Sequence, residues 1–325
     1  MNKLPVLALA LVFAAGVALA QQKTTRLSIA TGGTGGVYYP LGGGLANILS
    51  KTLPGVEATS EVTSGSVDNI KLIGTGRADI AFVLADTASE GLNGTGKFKQ
   101  KFPVRALAVL YANKSQWVTV EGSGVNKMED LKGKRISTGA PGSGTEVIAL
   151  RILEAYGINP DKDVKREKLS VAESVNAIKD RKIDAFFWSG GVPTAAVTDL
   201  AATPGFKIKL LDHADAIPKL VQKYGPLYVK GTIPANAYPG QDKEVQEAEV
   251  WNLLVANEKM DDKLAYDVVK TLFEKKADLV AVHSEAQNLD LSRQLSGASP
   301  IPFHPGALKY FSEKGLKAEK GTSQK

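Results

Sequence analysis

Four short runs in this 325-residue sequence place small and hydroxylated residues just ahead of an apolar repeat of helical spacing. They are Thr31-Gly-Gly-Thr-Gly-Gly36, Thr63-Ser-Gly-Ser66, Gly139-Ala-Pro-Gly-Ser-Gly144 and Ser170-Val-Ala-Glu173, the last with the form of a capping box. A helix start leaves its first N–H groups without intrahelical partners, and the aligned peptide dipoles favour negative charge there. The chemistry on offer is capture of an anion. Each terminus contributes about 0.3–1 kcal/mol through its dipole. Each N–H or hydroxyl bond to a charged group adds about 1.5–3 kcal/mol. Three or four such donors reach the ~8 kcal/mol of micromolar binding without a buried arginine.

Catalytic chemistries are poorly provided for. The chain has no Cys, which excludes thiol nucleophiles, Cys-held metals and disulfides. Its three His residues, His213, His283 and His304, share no metal-binding spacing. No Gly-x-Ser-x-Gly elbow occurs. Gly33-Thr-Gly35 fails the dinucleotide fingerprint because Tyr38 stands where the third glycine belongs. The phosphate-loop-like stretch Gly91 to Lys97 is followed by Phe98 instead of the Ser or Thr that would hold magnesium. A net charge of +6, with both signs interspersed up to the tail from Lys309, implies solubility and a mild attraction for anions, not nucleic-acid binding. No cofactor, no metal and no enzymatic activity are expected.

The elements that must hold these loops alternate along the chain. Met1 to Ala20 has a positive start, an uncharged apolar run and a small-x-small triplet, the grammar of a secretory signal cleaved near Ala20-Gln21. The mature chain is then expected to be periplasmic. Strands are read at Arg26–Ala30, Ala78–Leu84, Val104–Leu110, Arg135–Thr138 and Ile183–Trp188, with helices after the four loops; this alternation predicts an α/β fold with mostly parallel sheets. Ser66-Val-Asp-Asn-Ile-Lys71 before Ala78-Asp-Ile-Ala-Phe82 is matched by Ser174-Val-Asn-Ala-Ile-Lys179 before Ile183-Asp-Ala-Phe-Phe187. By duplication or by convergence, the chain has two similar α/β halves, and ligands of such sheets bind beyond the carboxyl ends of the strands. Asp212–Gln241, rich in Pro, Gly and Tyr, reads as a long connection, Val250–Val255 as a returning strand and Lys263–Phe273 as an amphipathic helix.

Several of these runs resemble one family. Ala30-Thr-Gly-Gly-Thr-Gly-Gly-Val-Tyr-Tyr-Pro40, Gly139 to Glu146 and Ile183-Asp-Ala-Phe-Phe-Trp-Ser-Gly-Gly-Val-Pro-Thr194 are similar to the TAXI family, the extracytoplasmic solute receptors of TRAP transporters. Glu61 to Asn69, Ala237 to Asp242 and Phe303 to Ala307 add to the likeness, which spans nearly all of the mature chain in order. The resemblance implies a class II periplasmic binding protein: two α/β lobes joined by two hinge crossings, with residues 21–111 and 250–325 in lobe I and 112–249 in lobe II. It implies a receptor that binds a small organic anion, a dicarboxylate or acidic amino acid such as 2-oxoglutarate or glutamate, and delivers it to a TRAP-type membrane subunit; a monomer is the default expectation. Carried over by motif, the expected ligand contacts are Thr34, Gly35, Gly36, Tyr38, Ser64, Gly65, Ser66 and Asn69 in the first lobe. In the second they are Ser143, Gly144, Thr145, Glu146, Trp188, Gly190 and Gly191. Many members carry Gln where this chain has Leu84, which implies a less polar pocket here. A receptor of the same fold serving an ABC importer or a sensor kinase, or a secreted enzyme, are the alternatives.

Overall fold

The computed structural model describes residues 24–317; the segment read as an export signal lies outside them. From Thr25 the chain runs β1 (Thr25–Ala30), α1 (Tyr38–Thr52), β2 (Val56–Glu61), α2 (Ser66–Gly74), β3 (Ile80–Leu84) and α3 (Ala85–Asn93). The long strand β4 (Val104–Val120) leads to β5 (Arg135–Ser137), α4 (Gly144–Ala155), β6 (Lys165–Glu167), α5 (Val171–Lys179), β7 (Ala185–Gly190), α6 (Ala195–Ala202) and β8 (Ile208–Leu211). Then come α7 (Ile217–Tyr224), β9 (Val229–Ile233), a second long strand β10 (Val245–Asn257), α8 (Asp262–Glu274), α9 (Lys276–Val282) and α10 (Pro305–Glu313).

Sequence pattern decides where each strand lies. Ile80-Ala-Phe-Val-Leu84 is apolar throughout, as a strand covered on both faces must be, and all five residues of β3 are buried between β1 and β10. Val56 to Glu61 alternates, and β2 is the edge strand with every second residue exposed. The order is β2-β1-β3-β10-β4-β7-β5-β6, with β8 on β4 and β9 on β10. Pairing is parallel in β2-β1-β3 and in β7-β5-β6, and antiparallel wherever β4 or β10 takes part.

Two lobes result. β4 pairs with β10 from Val104 to Lys114 and then with β7 and β8 from Lys114 to Val120. β10 pairs with β9 through Val245–Glu249, then with β3 through Asn252–Ala256. The first lobe holds β1–β3, α1–α3 and, after the chain returns, α8–α10. Phe303 bridges to Ala106, and the His304 N–H donates to the Ala106 carbonyl at 2.8 Å, which fixes α10 there. The second lobe holds β5–β8 and α4–α7. Its sheet is covered on one side by Ile148 and Ile152 with Met128 and Leu131, and on the other by Val175, Val197 and Leu200 with Phe186.

The sense of the sheet and two elements depart from the sequence reading: among the described residues five of the nine strand pairings are antiparallel, not mostly parallel, because β4 and β10 run against their neighbours. β4 continues past Leu110 to Val120, because polar residues such as Asn113, Ser115 and Gln116 are buried where the strand passes between lobes. The stretch Asp212–Gln241 is not a plain connection but contains α7 and β9. Pro218 sits in the first turn of α7, where its missing N–H costs nothing, so a residue that reads as a breaker in fact opens the helix.

Candidate functional site

Each small-residue loop becomes a helix start for a local reason. Gly65 caps α2 at φ +114°, a left-handed conformation that favours glycine. Ser143 caps α4, its hydroxyl accepting from the Glu146 N–H at 3.0 Å. Ser170 and Glu173 form the expected capping box at α5, the hydroxyl taking the Glu173 N–H and the carboxylate taking the Ser170 N–H at 2.8 Å. On α1, a Cβ on Gly42 would lie 2.3 Å from Thr31 Cγ2, so glycine lets the helix press onto the end of β1.

These four starts, two from each lobe, meet at one cavity of about 70 Å³ between the lobes, lined by Val37 and Tyr38, Gly65 and Ser66, Ser143 and Gly144, and Ser170 and Val171. A water needs roughly 10–15 Å³ by the same kind of measure, so the space suits a small metabolite. First-turn N–H groups lack intrahelical partners. Gly142 O takes that of Asp68 at 3.1 Å, and the caps take those of Glu146 and Glu173. Those of Ser66, Gly144, Thr145 and Val171 remain at the cavity. Among the described residues, no Asp, Glu, Lys, Arg or His stands on the wall. Leu84, Val37, Val171 and the Trp188 ring give it apolar sides.

Most of the expected contacts lie there. Gly36, Tyr38, Ser64, Gly65 and Ser66 line the cavity from the first lobe, and Ser143, Gly144, Thr145, Trp188 and Gly190 from the second. Five others do not. Thr34 is exposed at the loop tip. Gly35 is packed against the other lobe, where a Cβ would sit 3.1 Å from Ala196 and 3.2 Å from Ala172. Asn69 is fully buried and spends its amide on the scaffold, donating to Thr31 O and Phe82 O at 2.7 Å each and accepting from Thr63 Oγ1. Glu146 turns away to Arg166 at 3.7 Å and Lys168 at 4.0 Å. Gly191 lies against Glu285. Residues that sequence reasoning missed are Tyr111 and Asn113 of β4 and Ser189 of β7. Tyr111 and Asn113 are two apart, hence on one face of the strand.

The lobes touch on both sides of the cavity. A Cβ on Gly36 would lie 2.9 Å from Trp188 Cη2, and the Ala196 N–H donates to Gly35 O at 3.3 Å. A Cβ on Gly144 would lie 2.5 Å from Leu84 and 2.8 Å from Ser66 Oγ. Farther out, Arg151 of α4 pairs with Asp86 and Glu90 of α3, and Tyr228 donates to Asp86 at 2.7 Å. Val192 N–H donates to Glu285 Oε1 at 2.7 Å. The two lobes are therefore in contact on both sides of the cavity.

A polar chain runs beneath the cavity through both long strands. The Tyr38 hydroxyl donates to Asn252 Oδ1, Asn252 Nδ2 to Asn113 Oδ1 at 2.9 Å, and Asn113 Nδ2 to Ser189 Oγ at 3.1 Å. Burial pushes the phenols of Tyr38 and Tyr111 above their ordinary range, so both stay neutral. The histidines stand elsewhere: His213 Nδ1 is 2.9 Å from Leu211 O, while His283 and His304 cap helical turns. Among the described residues no group of three His, Asp or Glu could hold a metal, and no helix is long and apolar enough to cross a membrane.

Comparison with known proteins agrees with this architecture. A protein from work on glutathione import via GshT and the cystine ABC importer TcyBC of Streptococcus mutans is similar with a TM-score of 0.51 and 12% identity, over 82% of this chain and 96% of its own. A protein of Bordetella bronchiseptica RB50 gives a TM-score of 0.50 and 18% identity, over 93% and 87%. The periplasmic aliphatic sulphonate binding protein SsuA of Escherichia coli gives 0.45 and 14%, over 88% and 82%. At such identities the likeness is one of fold, the two-lobed α/β fold of periplasmic binding proteins. Residues 29–315 match the NMT1-like family, and the chain belongs to that family.

Proposed function

We propose that this protein is an extracytoplasmic, non-enzymatic receptor that closes its lobes over a small organic anion and hands it to a TRAP-type membrane importer. The observation that carries the reading is the convergence of four helix starts, two per lobe, on one cavity whose wall, among the described residues, bears no charged side chain. Such termini hold an anion by N–H groups and dipoles. Splitting them between lobes makes the ligand favour the closed form, and only that differential affinity drives closure. The lobes divide at Tyr111–Lys114 of β4 and at the facing Glu249–Asn252 of β10, where the polar chain crosses. The TRAP partner and a dicarboxylate ligand rest on the motif resemblance. An ABC importer is the second reading, favoured by the ABC importer named for the Streptococcus mutans protein.

A thermal-shift screen of the purified mature chain against organic acids, sulfonates and amino acids tests the receptor reading. Stabilisation by at least one small anion, with a fall in radius of gyration by X-ray scattering, is expected. No stabilisation by any member at millimolar concentration contradicts it. Transport by membrane vesicles carrying the adjacent genes' TRAP or ABC subunits decides between importers.

A further inference from the structure

We infer that the ligand is a singly charged acid with an apolar body, its carboxylate at the paired starts of α2 and α4 and its body against Val37, Val171 and Trp188. This rests on the receptor reading above and names the ligand class of the same cavity. It departs from the dicarboxylate that the motif resemblance implies.

The four helix starts meet in two unlike pairs. Those of α2 and α4 abut through polar residues. A Cβ on Gly65 would lie 3.7 Å from Ser143 Cβ and one on Gly144 2.8 Å from Ser66 Oγ, while the Asp68 N–H donates to Gly142 O at 3.1 Å. Ser64, Ser66 and Thr145 line the cavity here, so hydroxyls stand beside the open N–H groups. The starts of α1 and α5 abut through apolar groups. A Cβ on Gly35 would lie 3.2 Å from Ala172 Cβ and 3.4 Å from Val171 Cγ1, and one on Gly36 2.9 Å from the Trp188 ring. Val37, Val171 and that ring line the cavity here, and Pro40 removes one N–H from the first turn of α1.

Charge separates the pairs in the same sense. α2, α4 and α5 each carry a carboxylate in the first turn. Asp68 of α2 is offset by Lys71 at 3.8 Å, and Glu146 of α4 by Arg166 at 3.7 Å. Glu173 of α5 is offset by no cation among the described residues. It accepts the Ser170 N–H at 2.8 Å, which holds its carboxyl below the usual range and keeps it ionised. The α5 terminus thus already has its anion, and a ligand carboxylate placed there meets like charge. One carboxylate is served at the α2–α4 pair. A second, on a wall without Lys, Arg or His among the described residues, would be desolvated with no countercharge, which is costly. A hydrocarbon chain or ring against Val37, Val171 and Trp188 instead gains from each CH₂ it buries.

The test is calorimetric titration of the mature protein with acids matched in length: valerate, glutarate and glutamate; hexanoate and adipate; benzoate and terephthalate. Where the thermal-shift screen finds a tighter acid, that acid is compared with its analogue one carboxylate richer or poorer. In the set that fits, the monoacid should bind about tenfold or more tighter than the diacid. Val171→Ser should lower monoacid affinity about fourfold, the worth of one buried methylene. A diacid or glutamate bound as tightly as the monoacid or tighter, or monoacid affinity unchanged in Val171→Ser, overturns the inference while the receptor reading stands. The wild-type comparison alone decides the matter if the variant does not fold. Binding of no acid of any kind removes the receptor reading and this inference together.

Discussion

Arg151, on helix α4 of the second lobe, places Nη1 2.9 Å from Oδ2 of Asp86, on helix α3 of the first, and the two side chains are 8% and 1% exposed. The pair bridges the two lobes, and removing one partner leaves the other desolvated, at about 3–5 kcal/mol. Arg151→Met should therefore weaken the tightest-binding acid of the screen at least tenfold, with the loss in ligand-induced compaction as well. Calorimetric titration and X-ray scattering measure both; unchanged affinity would show that the pair plays no part in closure.

Glycine at two positions permits the lobes to meet. A side chain on Gly36 runs into Trp188 and one on Gly144 into Leu84 and Ser66. Gly36→Val and Gly144→Val should each lower affinity by tenfold or more. The unliganded Gly36→Val protein, free to stay open, should melt within a few degrees of wild type. Retained affinity in Gly36→Val would mean that Trp188 yields and the contact is not needed.

Ser143 has a separate structural duty as the cap of α4. Ser143→Ala should cost about 1 kcal/mol of unfolding free energy, read from urea titration of the unliganded protein, whereas Ser143→Asp should restore the cap and repel the anion. Equal binding by Ser143→Asp and wild type would place the anion away from this terminus.

Glu247 contributes a pH dependence of its own. It is fully buried in β10, its Oε2 accepting from the Ser115 N–H at 2.7 Å and its Oε1 3.7 Å from Lys114 Nζ. Burial outweighs both and raises its carboxyl to about 7. Between pH 4.5 and about 7 the folded protein keeps this proton and the unfolded chain releases it, so stability falls as pH rises through that window. Glu247→Gln should remove that slope and raise stability at pH 8 by on the order of 2–3 kcal/mol. Urea unfolding across pH 5 to 8 checks it, and parallel curves for the two proteins would contradict it.

How much of this is legible in sequence depends on whether a property is local. The starts of α2, α4 and α5 follow from Gly65, Ser143 and the Ser170–Glu173 box, because caps are made by residues within one turn. Tyr111 and Asn113 are not legible in the same way. They stand where an apolar strand turns polar, which reads as a strand end, and only the second lobe's sheet carries the pairing on. The Arg151–Asp86 pair joins residues 65 apart whose meeting depends on how the two lobes pack. Asn69 and Glu146 sit in the right motifs, but a motif does not state which way a first-turn side chain turns. Asn69 faces the carbonyls of Thr31 and Phe82, and Glu146 faces Arg166.

The central claim is that helix-start amides from both lobes hold the anion. The most direct measurement is a crystal structure of the mature protein with the acid that stabilises it most. The account predicts carboxylate oxygens within hydrogen-bond distance of N–H groups at Ser66, Gly144 or Thr145, between closed lobes. A carboxylate seated on a lysine or arginine outside this cavity, or on an open protein, would contradict it.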